Sequence, residues 1–216
     1  MARFRVTPLV CPNPDCGRPL AGLPYDRMFT CTSCASAYAV KDGVLARYPI
    51  AFADIRREVA GERIFLPLWR FDVRVKAAKP DREDQRLRAE IADIDTVWVT
   101  AYLMERPDYH GDLGLILSQH RVRMPRLPAP PPGVVISGIT RGPEEAVRHG
   151  EIFVTSMIDK LTDVTGMDIR IRAETMELWA LPFAVEGDSV IDLASKMRFP
   201  RRAIEDLDQI LAHRAG

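Results

Sequence analysis

The chain has 216 residues, of which 47% are hydrophobic and 28% charged, enough for one or two domains with a hydrophobic core. Its 30 basic and 30 acidic residues give a formal net charge of zero, so it lacks the basic excess typical of proteins that act mainly on nucleic acid or anionic membranes. No apolar run exceeds about eight residues, whereas a membrane-spanning helix needs about 20. We therefore expect a soluble, cytoplasmic protein without a transmembrane segment, whose cysteines stay reduced.

The first 50 residues predict a ribbon of short strands arranged around two cysteine loops. The loops have the spacings C-x4-C and C-x2-C and are separated by 14 residues. An Asp-Gly step at residues 42–43, between two short apolar runs, predicts a β-hairpin because both residues tolerate positive φ. The region has too few large apolar residues to fold unaided, so a bound metal would supply the missing stability.

Cys11, Cys16, Cys31 and Cys34 are all the cysteines of the chain, and they match the ligand set of one tetrahedral zinc ion. Four thiolates leave no position for water, so the predicted zinc is structural rather than catalytic. Three alternatives stay open: a single iron in a rubredoxin-like site, a redox pair at Cys31 and Cys34, and four buried cysteines that bind no metal. The redox alternative lacks the helix that would lower a thiol pKa, since residues 35–40 are predicted to be extended.

The four cysteines, with Gly17 after the second of them, resemble the zinc ribbons of general transcription factors and RNA polymerase subunits. This resemblance covers residues 1–50 and implies a zinc ion and a local β-ribbon but no activity. The ribbon followed by LPLWRF at residues 66–71 is similar to a group of poorly characterised bacterial zinc-ribbon proteins, some of which occur beside membrane-stress and membrane-scaffold proteins. The chain departs from that group in lacking a membrane segment and in carrying Leu68 where an aromatic residue is expected.

The rest of the chain predicts a charged connector at residues 51–61 and an α+β domain at residues 62–216. Residues 69–75 alternate between apolar and charged side chains, as in a half-buried strand, whereas residues 97–104 are apolar on both faces, as in a central strand. The clearest helix begins at Pro143 and is expected to end at Gly166. The predicted fold class is α+β: an N-terminal zinc β-ribbon, then a mainly antiparallel sheet with a few helices, one face of which is covered by helix 143–165.

Two weaker candidate sites lie outside the ribbon. His110 and Asp112 would place a histidine beside a carboxylate, although the simpler interpretation is that Asp112 caps the following helix. The most basic stretch of the chain contains Arg121, Arg123 and Arg126, which are candidates for binding phosphates or an acidic partner. No P-loop, dinucleotide-binding, zinc-protease or nucleophile-elbow motif occurs in the sequence.

These observations favour a non-enzymatic adaptor or assembly subunit that acts through protein–protein contacts. A net charge of zero removes the long-range attraction toward nucleic acid, so binding to nucleic acid is expected to be weak at physiological salt. The second hypothesis is a nucleic-acid-binding accessory factor that uses the zinc ribbon. The third is an enzyme with an unfamiliar site near His110 and Asp112.

Overall fold

A computed structural model describes residues 9–55, 57–59, 61–78, 85–107, 111–132, 134, 136 and 138–214 of the chain. The strands in these residues are β1 (Met28–Cys31), β2 (Ser36–Lys41), β3 (Val44–Phe52), β4 (Glu62–Ala78), β5 (Thr96–Thr100), β6 (Asp168–Glu186), β7 (Ser189–Asp192) and β8 (Arg198–Pro200). The helices are α1 (Gln85–Ala92), α2 (Leu113–Gln119), α3 (Pro143–Asp159) and α4 (Leu207–Arg214). The predicted α+β class is confirmed. Among the described helices, none has the length and apolar character needed to cross a membrane.

All eight strands belong to one mixed sheet, in which β1, β2, β3, β6, β4 and β5 are neighbours in that order. β7 pairs with β6 and β8 with β7 at the side of this row. Every pairing is antiparallel except that of β3 with β6, so the prediction of a mainly antiparallel sheet is confirmed. The longest pairing joins β4 to β6 and runs from Glu62 opposite Val185 to Ala78 opposite Asp168.

The two faces of the sheet are buried by different helices. One face forms a first core, in which strand residues such as Leu68 and Phe183 pack with residues of α2 and α4. The other face forms a second core with α3, which contributes Phe153 and Ile158. The expectation that the helix beginning at Pro143 covers one face of the sheet is therefore confirmed. The other face is covered by α2 and α4, because both sides of β4 and β6 are apolar in the middle of the sheet.

Helix α3 is shorter than predicted, and the tryptophans lie in the cores. Helix α3 ends at Asp159, earlier than predicted, and Gly166 follows in a turn with φ of 73°. The Asp163 side chain accepts a hydrogen bond from the Thr165 N–H (2.9 Å), and such local side-chain bonding competes with helix formation. All three tryptophans of the chain are buried in the two cores: Trp69, Trp98 and Trp179.

The strands of the predicted ribbon, β1 to β3, are part of this sheet. The predicted hairpin at residues 42–43 is confirmed, with left-handed backbone at Asp42 (φ 51°) and Gly43 (φ 77°). The last three residues of β3 pair in parallel with β6, so the predicted boundary after residue 50 falls inside a strand. Met28 and Ala37 belong to the second core together with Trp69. Independent folding of residues 1–50 and 62–216 stays a prediction.

Candidate metal centre

The four cysteines meet at the end of the ribbon where β1 turns into β2. Cys11 and Cys16 lie in the first loop, Cys31 ends β1, and Cys34 lies in the turn before β2. Their four Sγ atoms all lie within 4.8 Å of one another. The Sγ–Sγ distance is 3.7 Å between Cys11 and Cys34 and 3.6 Å between Cys16 and Cys31. Cys11 and Cys31 are buried, while Cys16 and Cys34 are partly exposed.

The spacing of the sulfur atoms fits a tetrahedral metal ion. Zinc–sulfur bonds of about 2.3 Å place the sulfur atoms of a ZnS4 tetrahedron about 3.8 Å apart. The two closest contacts at this site are 3.6 and 3.7 Å, much longer than the disulfide bond of about 2.05 Å. All four donors are soft thiols, the ligand type that zinc prefers in structural sites. The cluster could therefore bind one metal ion such as zinc, with every tetrahedral position taken by sulfur.

The backbone turns in the same way after the second cysteine of each loop. Gly17 follows Cys16 with φ of 57°, and Ala35 follows Cys34 with φ of 45°. The space around Gly17 is open, since an added Cβ there would meet no atom within 4 Å. Ala35 already carries a Cβ in this left-handed conformation, which costs an L-residue about 1–2 kcal/mol. The Ile50 N–H donates to the Ala35 carbonyl (3.0 Å) and ties this turn to β3. The second loop thus keeps the left-handed turn without its usual glycine.

Polar groups next to the cysteines support negative charge on sulfur. The Asn13 side-chain amide donates to Cys34 Sγ (3.4 Å), and the Tyr38 hydroxyl lies 3.4 Å from Cys11 Sγ. Burial disfavours ionisation of Cys11, but hydrogen bonds from Tyr38 and the Asn13 backbone outweigh it and lower its pKa to about 7. Burial raises the pKa of Cys31 to about 12. A metal would take the place of the protons on all four thiols, because only thiolates are ligands.

Sequence reasoning missed Asn13 and Tyr38 as supporting residues. Tyr38 is buried with Cys11 and Cys31 in a small cluster separate from the two main cores. Its hydroxyl reaches Cys11 only because β2 folds back beside the first loop, 27 residues away in the chain. Asn13 lies two residues after Cys11, but that spacing alone does not distinguish it from an ordinary turn residue. No sequence pattern would have found either one.

Only half of the candidate pair His110 and Asp112 can be placed. His110 lies outside the described residues. Asp112 caps α2, because its Oδ1 accepts hydrogen bonds from the N–H groups of Gly114 (2.8 Å) and Leu115 (3.2 Å). Burial raises the pKa of Asp112 despite these bonds. The helix-cap interpretation of Asp112 is confirmed.

The three arginines of the basic stretch each contact a carboxylate. The ion pairs are Arg121–Asp93 (3.3 Å), Arg123–Asp95 (3.2 Å) and Arg126–Glu177 (2.6 Å). Arg126 also lies over the Trp179 ring, with 5.1 Å between its guanidinium carbon and the ring centre. The structure therefore spreads these charges over separate acidic partners, and a binding role for the stretch stays a prediction.

Comparison of the chain with protein-family models, with curated proteins and with solved structures finds no match.

Proposed function

We propose that the chain is a non-enzymatic adaptor or assembly subunit, in which a structural zinc ion stabilises a β-ribbon that contacts a protein partner. The observation that carries this proposal is the cluster of four Sγ atoms within 4.8 Å of one another. Zinc bound by four thiolates has no open position for a substrate or water. Its contribution is folding energy, about 10–16 kcal/mol of apparent binding free energy in zinc-finger peptides.

The β2–β3 hairpin supports a role in protein contacts. Cys31 and Cys34 lie next to the first residue of β2, and the hairpin turn lies at the opposite end of that strand. Val40 and Val44 lie within two residues of that turn, on opposite faces of the hairpin, and are 48% and 63% exposed. Exposed apolar side chains on a rigid support give a protein partner anchors at a small cost in conformational entropy. We therefore assign the hairpin tip, defined as Val40 and Val44, to the partner.

The proposed cellular location is the cytoplasm. A cluster of four free thiols keeps its metal-binding capacity only where thiols stay reduced, because oxidation would convert neighbouring cysteines to disulfides. The cytoplasm maintains that condition.

Replacing both valines of the hairpin tip by serine, V40S/V44S, is expected to lower the yield of a co-purified protein partner at least tenfold, on the order of 1.4 kcal/mol of binding free energy. The full-length tagged chain would be purified from its native cells, and co-eluting proteins quantified by mass spectrometry. The matched control is I152S on α3, which changes one exposed apolar side chain elsewhere and should keep the partner. No stoichiometric protein with the unmodified chain, or equal loss with I152S, would contradict the proposal.

A further inference from the structure

The C-terminal end of β4 and the N-terminal end of β6 form a two-stranded arm, defined as residues 73–78 of β4 and residues 168–173 of β6. In the part of the chain that the structure describes, β4 beyond Asp72 and β6 before Leu178 pair only with each other. The inner face of the arm packs on the second core through side chains such as Val75, Ile169 and Ile171. Its outer face continues the first-core face of the sheet beyond the helices that cover it.

The outer face of the arm carries four cations in two cross-strand pairs. Arg74 lies opposite Arg172, and Lys76 lies opposite Arg170. All four are exposed, with 67% of the Arg74 side chain and 78% of the Arg170 side chain accessible. Like charges directly opposite each other on one face destabilise a sheet. Two such pairs in succession concentrate positive charge at a cost in stability.

Carboxylates offset only half of this charge. Arg74 pairs with Glu174 (2.7 Å), and Arg170 pairs with Asp168 (2.8 Å). The side chains of Lys76 and Arg172 form no hydrogen bond or ion pair with any described residue. The six groups therefore sum to two positive charges, and the two cations without carboxylate partners sit diagonally across the arm. A bound anion would remove the repulsion that the fold leaves there.

We propose that the outer face of the arm binds the phosphates of duplex DNA through Arg74, Lys76, Arg170 and Arg172. Two strands lie about 4.8 Å apart, and such a ribbon fits the major groove of B-form DNA, which is about 12 Å wide. The major groove of A-form RNA is too narrow and deep to admit it. Arginine forks and the lysine ammonium are the side chains that bind phosphate oxygens.

The composition of the face disfavours the two other kinds of anionic partner. The large apolar side chains that are exposed among the described residues all lie elsewhere, on the ribbon, on α3 and its C-terminal turn, and at Leu103. Binding at a membrane surface uses exposed apolar residues beside the cations, and a protein interface uses buried aromatic or aliphatic anchors. The outer face of the arm has neither exposed apolar residues nor apolar anchors beside its cations.

This surface is additional to the hairpin tip proposed to contact a protein, and it lies on different strands. With at most four phosphates contacted, the affinity falls steeply with salt, by up to about 0.9 in log K per contact for each unit of log salt. Weak binding at physiological salt, as expected from the net charge, is compatible with such a site. The chain would then hold a DNA duplex beside its protein partner.

The test compares two double variants that each remove two exposed positive charges, K76Q/R172Q on the arm and R148Q/K160Q on α3 and its C-cap. Binding of the full chain to a mixed-sequence duplex is measured by fluorescence anisotropy between about 50 and 200 mM salt. K76Q/R172Q is expected to lose about tenfold or more in affinity at the lower salt and about 1.8 in the salt slope, for two contacts. R148Q/K160Q should stay within about twofold of the unmodified chain, because α3 covers the opposite face of the sheet.

Two controls separate the loss of positive charge from a change of side-chain type and from a loss of folding. The variant K76R/R172K keeps both positive charges and should keep the affinity for DNA. The unfolding temperature of K76Q/R172Q should be unchanged or higher, because the substitutions remove like-charge pairs. Unchanged binding by K76Q/R172Q, an equal loss in both charge-removing variants, or a tenfold loss in K76R/R172K overturns the site. Equal or tighter binding to duplex RNA, anionic phospholipid vesicles or polyglutamate overturns its assignment to DNA.

Discussion

Replacing Cys31 by serine is expected to abolish stoichiometric zinc binding and to unfold the two cysteine loops locally. Cys31 is a buried member of the four-thiol cluster and packs with Cys11 and Tyr38. That cluster is too small to fold unaided, so the two cysteine loops depend on the metal, whose binding is worth about 10–16 kcal/mol in zinc-finger peptides. Three thiolates and a weakly binding hydroxyl cannot supply it. The loss should also lower the unfolding temperature of the whole chain, because β3 is hydrogen-bonded to β6.

Zinc per chain, measured by elemental analysis, and thermal unfolding would be compared with those of the control variant S33A. Ser33 lies in the same cysteine loop with an exposed side chain, and its backbone N–H, which hydrogen-bonds to Cys31, is kept in the variant. S33A should match the unmodified chain in both measurements. Full zinc content in the Cys31 variant would contradict the assignment of Cys31 as a ligand.

Replacing Met28 by alanine is expected to lower the free energy of unfolding of the full chain by about 2–5 kcal/mol, the usual range for a buried large-to-small change. Met28 lies on β1 of the ribbon, yet it is 0% exposed and belongs to the same core as Trp69 and Phe153. The cavity would therefore open in the second core of the sheet rather than inside an isolated ribbon.

Urea unfolding followed by tryptophan fluorescence would measure the effect of the Met28 change, because all three tryptophans lie in the two main cores. The control is V44A at the exposed hairpin tip, where the change should stay within about 0.5 kcal/mol. A main transition that M28A leaves unmoved would contradict a shared core. It would favour the predicted division between residues 1–50 and 62–216.

Features that depend on neighbouring residues were predictable from the sequence. The hairpin at Asp42 and Gly43 needs only two residues that accept positive φ, and both adopt it. The cap at Asp112 needs only a side-chain oxygen within reach of the first turn of α2. The cysteine cluster follows from two local loops. The turn and the cap each depend on an interaction that spans a few residues, and each cysteine loop is equally local, so spacing along the chain carries the information.

Features that depend on distant pairing were not predictable. The sequence suggests separate strands at 168–173 and 177–185, but β6 runs unbroken from Asp168 to Glu186. The pairing of β6 with β4 shifts register between Asp72 and Val73, which leaves Glu174 as an extra residue on β6. This β-bulge lets the strand continue through the largely polar residues 172–175 without a break. The cation pairs of the arm join residues about 100 positions apart, so no basic run marks them, and a neutral total charge conceals them.

The same limit applies around the cysteines and the basic stretch. Tyr38 reaches Cys11 through the fold of β2, and the carboxylate partners of Arg121, Arg123 and Arg126 come from β6 and from the residues that precede β5. Spacing predicts which thiols can meet, but tertiary structure decides which side chains surround them and which charges are neutralised.

The measurement that tests the metal site most directly is zinc K-edge X-ray absorption on the freshly purified full chain, combined with elemental analysis. The proposed site predicts about one zinc per chain, with four sulfur neighbours at about 2.3 Å and no nitrogen or oxygen ligand. A chain without zinc whose four thiols titrate freely would contradict it, as would a zinc ion with fewer than four sulfur neighbours.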